Sequence, residues 1–298
     1  MSESVNKQSV IIDTAELDDF QMCNFKHYAV QTLHLRPKEP VEAMEGGSLL
    51  HYYLELYYLA KRDTVRSQPD IIEEVIELGR IKALEYESLP PTEVTDTNFQ
   101  FREYCRYYEN ESWIPVYIEQ PFMVKFYEDD SLVIYITGKP DLIFRYAGTQ
   151  KLAVCDHKKS RRDFTYSFLR NQFPLYAYAT NTDTVIVNKV GFQKTLVLKD
   201  RMKRQSFVYH PDLLAEWKRD TIIWIKQLVI AHEFNLWPRN RTSCEKWNGC
   251  FLERYCLARA GARPYLIGSE YSIGEKWDVT KSLELNNKEG ENNASITK

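Results

Sequence analysis

Apolar positions along this chain change their period twice. From residue 10 to residue 33, "VIIDTAELDDFQMCNFKHYAVQTL" repeats every three to four residues, which predicts a helix with Asp13 or Thr14 as its N-cap. After Pro37 and Pro40, "EAMEGGSLLHYYLELYYLAKR" predicts a second helix whose Leu50, Leu54, Tyr57 and Tyr58 form one apolar stripe. Two further helices are expected over 69–88 and 97–108, separated by "LPPTEVTD". The period then shortens to two. "WIPVYIEQPFMVKFY", "SLVIYITGKPDLIFRY" and "KLAVCDHK" read as three consecutive strands, the first pair joined by the acidic turn "EDD". A helix follows over roughly 164–180, then a strand or hairpin around "TVIVNKVGFQKTLVL" and "RQSFVYH", then an amphipathic helix opening at Pro211. From residue 283 the chain is polar and expected to be disordered.

This order of elements predicts an α/β (mixed α+β) protein with a central mixed sheet flanked by helices. No linker divides it, so residues 1–282 are expected to form one domain and 283–298 a tail.

One hairpin carries charges that its apolar strands do not need. If "AGTQ" at 147–150 is a four-residue loop, Tyr146 closes on Lys151 and Asp141 falls opposite Asp156, with Lys158 on the Asp156 face. Opposed carboxylates repel, so they must share a proton or bind a cation such as Mg²⁺. A strand-end aspartate facing solvent is the alternative, and a one-residue slip would separate the two.

Composition alters this picture little. With 44% hydrophobic and 27% charged residues the chain is of ordinary globular make-up. No apolar run is long enough to span a membrane and the first residues do not resemble a signal peptide, so an intracellular, cytoplasmic location is expected. A net charge of −3 opposes a globally basic nucleic-acid binder only weakly, because "KKSRR" at 158–162, through Lys159, Arg161 and Arg162, or "KDRMKR" at 199–204 could supply local phosphate contacts; the alternative for either run is a solvated face. Of six cysteines, Cys244, Cys250 and Cys256 crowd into one segment at a spacing that selects no particular metal. Cys105 and Cys155 read as core residues.

"GKPD" followed by "DHK" resembles the signature of the PD-(D/E)XK nuclease superfamily. The resemblance is to its RecB-like exonuclease branch, which includes CRISPR-associated iron–sulfur exonucleases and many phage nucleases. It runs from about residue 10 to 260. It implies a restriction-endonuclease-like core in which Asp141, Asp156 and Lys158 are catalytic. "GGSLLHYYLE" resembles the helix whose histidine, His51, joins Asp141 and Asp156 around Mg²⁺ or Mn²⁺. "YIEQPFMV" places Glu119 near the site, and "NQFPLYAYA" supplies Gln172 and Tyr176 of a QxxxY motif. Cys23 with Cys244, Cys250 and Cys256 resembles the ligand set of a [4Fe–4S] cluster stapling the two ends of the chain. The function implied is a metal-dependent deoxyribonuclease, an exonuclease on DNA ends with single strands favoured, in a bacterial or phage-infected cell. Recombination or CRISPR-related proteins are its implied partners. The competing readings are a non-catalytic DNA-binding partner that keeps the fold, a structure-specific endonuclease and an iron–sulfur redox protein.

Overall fold

The computed structural model describes residues 7–39, 42–162, 165–193, 195–245 and 249–284, so all but the first two residues of the expected tail lie outside it. In chain order the elements are β1 (Gln8–Ile12), α1 (Thr14–Met22), α2 (Asn24–His27), β2 (Leu35–Pro37), α3 (Glu42–Asp63), α4 (Gln68–Ala83) and α5 (Pro91–Tyr107). Then come β3 (Trp113–Ile118), β4 (Phe122–Glu128), β5 (Leu132–Gly138), β6 (Leu142–Tyr146), β7 (Leu152–Ser160), α6 (Gln172–Thr180), β8 (Thr184–Gly191), α7 (Leu198–Arg201) and β9 (Met202–Val208). Last are α8 (Pro211–Glu233), α9 (Glu253–Leu257), α10 (Arg263–Leu266) and β10 (Tyr271–Ile273).

The elements gather into two compact units, both discontinuous in sequence. One comprises Met1–Glu39, Pro121–Gly138 and Asp212–Lys298; the other comprises Pro40–Gln120 and Lys139–Pro211. The first unit holds a three-stranded sheet in the order β1-β5-β4 and a small β2–β10 ladder. The opening "VII" is therefore strand, not the start of a helix: it pairs in parallel with β5. Asp13 is the N-cap where α1 begins, in a capping box with Glu16.

The second unit holds a five-stranded mixed sheet in the order β3-β6-β7-β8-β9. Only β7 and β8 run parallel, and α6 lies on the crossover that a parallel pair requires. The apolar stripe of α3 is buried as its spacing predicts, and Leu50, Leu54, Tyr57 and Tyr58 join Leu142, Phe144, Ala153, Cys155 and Ile186 of the sheet in one core. Gly79 allows α4 to lie close against α3, since a Cβ there would fall 1.7 Å from the Tyr53 ring. Cys105 and Cys155 are fully buried, as expected of small apolar side chains.

Two expected strands each break in the middle. "WIPVYIEQPFMVKFY" divides into β3 and β4 at Glu119, and "SLVIYITGKPDLIFRY" divides into β5 and β6 at 139–141. Helix α5 starts at Pro91 rather than residue 97, with the proline tolerated at the first helical position. Helix α6 starts at Gln172 rather than near 164.

Candidate active site

The hairpin register follows the loop-length argument. Leu142 pairs with Cys155 and Arg145 with Leu152, so the ladder extends toward Asp141 opposite Asp156. Asp141 itself immediately precedes β6, and its carboxylate bonds His157 and His51. Its Oδ2 accepts from the His157 backbone N–H at 2.5 Å, while Oδ1 lies 3.3 Å from His51 Nδ1 on α3.

Glu119 joins the same point from the break after β3. Its backbone has φ of 49°, a left-handed conformation costing a non-glycine residue about 1–2 kcal/mol. Its N–H donates to the Asp141 carbonyl at 3.1 Å, and its carboxylate lies 4.0 Å from His51 Nδ1 and in an ion pair with Lys139. Ligand atoms of His51, Glu119 and Asp141 all lie within 4.8 Å of one another.

Asp156 stands outside that set. Its carboxylate is 2.7 Å from Lys158 Nζ and accepts from Gln172 Nε2 at 2.9 Å. Gln172 also donates to the Tyr176 hydroxyl at 3.2 Å, which donates to the Lys139 carbonyl at 3.2 Å. Gln172 and Tyr176 thus share one helix face, as their spacing predicts, but they hold Asp156 and the Lys139 peptide rather than reaching outward. Pro174 falls in the first turn of α6, where its missing N–H costs nothing.

Burial and mutual charge set the protonation of this group. Burial raises the Glu119 carboxyl, Asp141 repels a second negative charge, and despite Lys139 the group is pushed up to about 7. Burial alone would lower His51, but the Asp141 carboxylate outweighs it and raises the imidazole to about 9. Burial works against the Asp141 carboxylate as well, yet His51 and then Lys158 hold it well below the usual range. Asp156 is raised by burial beyond what Lys158 offsets, and Lys158 is raised because Asp156 and Asp141 outweigh its own burial.

A divalent cation fits this arrangement. One imidazole and two carboxylates converge, and the protons that Glu119 and His51 hold are what a cation would replace. Hard oxygen donors with one nitrogen suit Mg²⁺ or Mn²⁺. Affinity for Mn²⁺ is expected to fall steeply as pH drops below about 7 and more gently between about 7 and 9, because Glu119 and then His51 must release protons. Calorimetric titration in buffers of different ionisation enthalpy would read both the affinity and the released protons. A pH-independent affinity would contradict this assignment.

The expected basic rim is only partly on the surface. The Lys159 ammonium is withdrawn into an ion pair with buried Glu93 and lies 4.5 Å over the Phe192 ring. Burial, then Arg161, lowers it to about 8. Lys159 is therefore not a free phosphate contact, because a buried glutamate already claims it. Arg161 is exposed but also pairs with Glu93 and Glu42, and Arg162 is exposed.

In the other unit, Cys23, Cys244, Cys250 and Cys256 line one cavity of about 730 Å³, together with Phe25, Leu252, Arg239, Arg241 and Arg263. The Asn240 N–H lies 3.3 Å from Cys23 Sγ. Desolvation, then the three other cysteines, raises the Cys244 thiol.

An Asp–Lys pair beside converging carboxylate and imidazole donors, carried on a mixed sheet, is an arrangement that a divalent cation fits. The chain belongs to the PD-(D/E)XK nuclease superfamily, whose profile matches residues 14–259. No curated protein matches it. Among solved structures, an Eubacterium rectale protein provisionally assigned as an exonuclease is 12% identical with a TM-score of 0.49, over 79% of this chain and 86% of that chain. The alkaline exonuclease LHK-Exo of Laribacter hongkongensis is 10% identical with a TM-score of 0.33, over 63% of this chain and 94% of that chain. No described helix is long and apolar enough to cross a membrane.

The motifs give Lys139 no role, and for His157 the expectation is only that its backbone carbonyl, or that of Cys155, faces the metal. Lys139 lies within the "GKPD" signature and His157 within "DHK", but only the tertiary arrangement reveals what each holds.

Proposed function

We propose that this protein is a divalent-cation-dependent deoxyribonuclease that hydrolyses phosphodiester bonds at DNA ends, with single strands favoured. The observation that carries this reading is the convergence of His51, Glu119 and Asp141 beside the Asp156–Lys158 pair. The preference for ends and single strands follows the resemblance of the "GKPD", "DHK" and QxxxY segments to RecB-like exonucleases.

His51, Glu119 and Asp141 would hold the cation, with Asp156 as a further donor. Bound there, Mg²⁺ or Mn²⁺ would stabilise negative charge developing on a phosphate. Lys158 would hold a water by its ammonium and offset the same charge. Gln172 fixes the Asp156 carboxylate, so the carboxylate can orient Lys158 without rotating away. Tyr176 anchors the peptide at Lys139, two residues before Asp141. Incubating end-labelled single- and double-stranded DNA with Mn²⁺ or with EDTA tests the reading. Cation-dependent trimming from ends is the expected outcome, and cleavage that persists in EDTA contradicts it.

The four cysteines are proposed to hold a [4Fe–4S] cluster that staples the N-terminal and C-terminal segments of their unit. Zinc would draw thiolates to about 3.8 Å from one another at a Zn–S distance of about 2.3 Å. Among the described residues, no three cysteine sulfurs gather so closely, and the cluster reading follows the resemblance of the four-cysteine set. The neighbouring Arg239, Arg241 and Arg263 complement an anionic cluster. Protein purified without oxygen is expected to be brown and to contain iron and sulfide, and Cys250→Ser to lose both and melt earlier. Colourless protein that contains zinc would refute this.

A further inference from the structure

The sheet register places three lysines side by side across adjacent strands. Lys158 on β7 pairs with Lys189 on β8, and Lys189 pairs with Lys203 on β9. Directly paired residues project to one face, so all three share the face of Asp156, which pairs in turn with Val187 and Gln205. The alternate residues serve the other face: His157 and Asn188 bond each other at 2.8 Å, and the Arg204 guanidinium bonds Glu111 at 2.7 Å. With strands about 4.8 Å apart, the row reaches about 10 Å from Lys158 to Lys203.

Beside this row lies an open cavity of about 510 Å³, lined by Lys189, Lys203, Tyr166, Thr165, Val187 and Gln205 among others. Its wall is held firmly. The Tyr166 N–H donates to Gln205 Oε1 and Gln205 Nε2 donates to the Tyr166 carbonyl, both at 3.0 Å. The Tyr166 ring packs edge-on against Phe173 at the start of α6. Lys189 is 5% exposed and Lys203 half-buried, so their charges act in a medium less screened than bulk water. Both also have partners within the protein, so an incoming anion would share those ammoniums. Like charges at neighbouring register positions disfavour a ladder. Here Asp156 offsets Lys158, Lys189 and Lys203 have partners of their own, and the row still gives a positive track beside the cavity along which successive phosphates would lie.

We propose that the Lys189–Lys203 cavity is a second phosphate subsite, which takes a backbone phosphate neighbouring the scissile one and thereby positions the strand over Lys158. This inference rests on the nuclease reading above for which phosphate is cut. It adds that the minimal good substrate is an oligonucleotide with a charged phosphate beyond the cleaved bond.

The test is a cycle between protein and substrate. Each phosphate of a short single-stranded oligonucleotide is replaced in turn by a neutral methylphosphonate, and kcat/KM with Mn²⁺ is measured for wild type, Lys203→Gln and Lys189→Met. At one position next to the cut, neutralisation is expected to slow the wild type about tenfold and the variants less than about twofold. Equal penalties in wild type and variants at every position would overturn the subsite. Binding of the same oligonucleotides without metal, read by fluorescence anisotropy, separates the two proposals. Lys203→Gln is expected to reduce the salt dependence of binding by about one counterion, and to lose sensitivity to that same methylphosphonate. If wild type binds with this coupling but cleaves nothing, the nuclease reading falls and the subsite stands. If it cleaves without this coupling, the subsite falls and the nuclease reading stands. Matching circular dichroism and melting of Lys203→Gln, a half-buried strand position, show that the variant is folded.

Discussion

Asp141→Asn is expected to reduce DNA cleavage by about 10³-fold or more while leaving the protein folded. The carboxylate at 141 does three things that an amide cannot all replace. Its Oδ2 receives the His157 N–H, its Oδ1 faces His51, and its negative charge raises both His51 and Glu119. Asparagine keeps an oxygen for the His157 N–H, so the turn between β5 and β6 should survive. The charge that a cation would neutralise is lost, and with it the reason that His51 and Glu119 hold protons so tightly. Single-turnover cleavage with saturating Mn²⁺, paired with calorimetric Mn²⁺ titration, would separate lost binding from lost chemistry. A variant keeping more than about a tenth of wild-type cleavage would remove Asp141 from the active centre.

Lys158→Met should abolish cleavage to a similar degree, and it should also destabilise the fold in a pH-dependent way. Asp156 is 1% exposed, and Lys158 is the cation beside it. Removing one partner of a buried pair costs about 3–5 kcal/mol, because the remaining charge stays desolvated. The Asp156 carboxyl is already raised by burial, and without Lys158 it rises further. A raised carboxyl binds its proton more tightly in the folded chain than in the unfolded one. Stability therefore falls as pH rises through the interval between the unfolded and folded values. The deficit of Lys158→Met relative to wild type is expected to be largest at neutral pH and to shrink in mild acid, where Asp156 is neutral. Denaturant melts at several pH values read this directly. A deficit constant with pH would mean that Lys158 acts by packing alone, through its stem.

The competing readings differ in what these variants do. A DNA-binding partner that only keeps the fold would show no cation-dependent cleavage for Asp141→Asn to remove. An iron–sulfur redox protein would respond to Cys250→Ser but not to Lys158→Met at the DNA level.

Much of this site is legible in the sequence. The register of the hairpin follows from a four-residue loop and a period of two, both local properties of neighbouring residues. The helical stripe of Leu50, Leu54, Tyr57 and Tyr58, the buried Cys105 and Cys155, and the shared face of Gln172 and Tyr176 follow from periodicity in the same way. "GKPD" and "DHK" then name the family, because the spacing of charged residues within one hairpin is written in the chain.

What the chain could not disclose depends on contacts between residues far apart in sequence. The resemblance places Glu119 near the site, but only folding shows that its left-handed backbone bonds the Asp141 carbonyl and that its carboxylate lies beside His51. Only the arrival of Glu93 takes Lys159 out of solvent, although nothing around Lys159 distinguishes it from a surface lysine. The two units are invisible to composition for a related reason: each is assembled from separate stretches, so no linker marks their borders. Local periodicity determines where helices and strands form, because it depends on residues within a few positions of one another. Which charges meet is decided by the tertiary fold, because a buried charge takes whatever partner the packing of distant segments brings within reach.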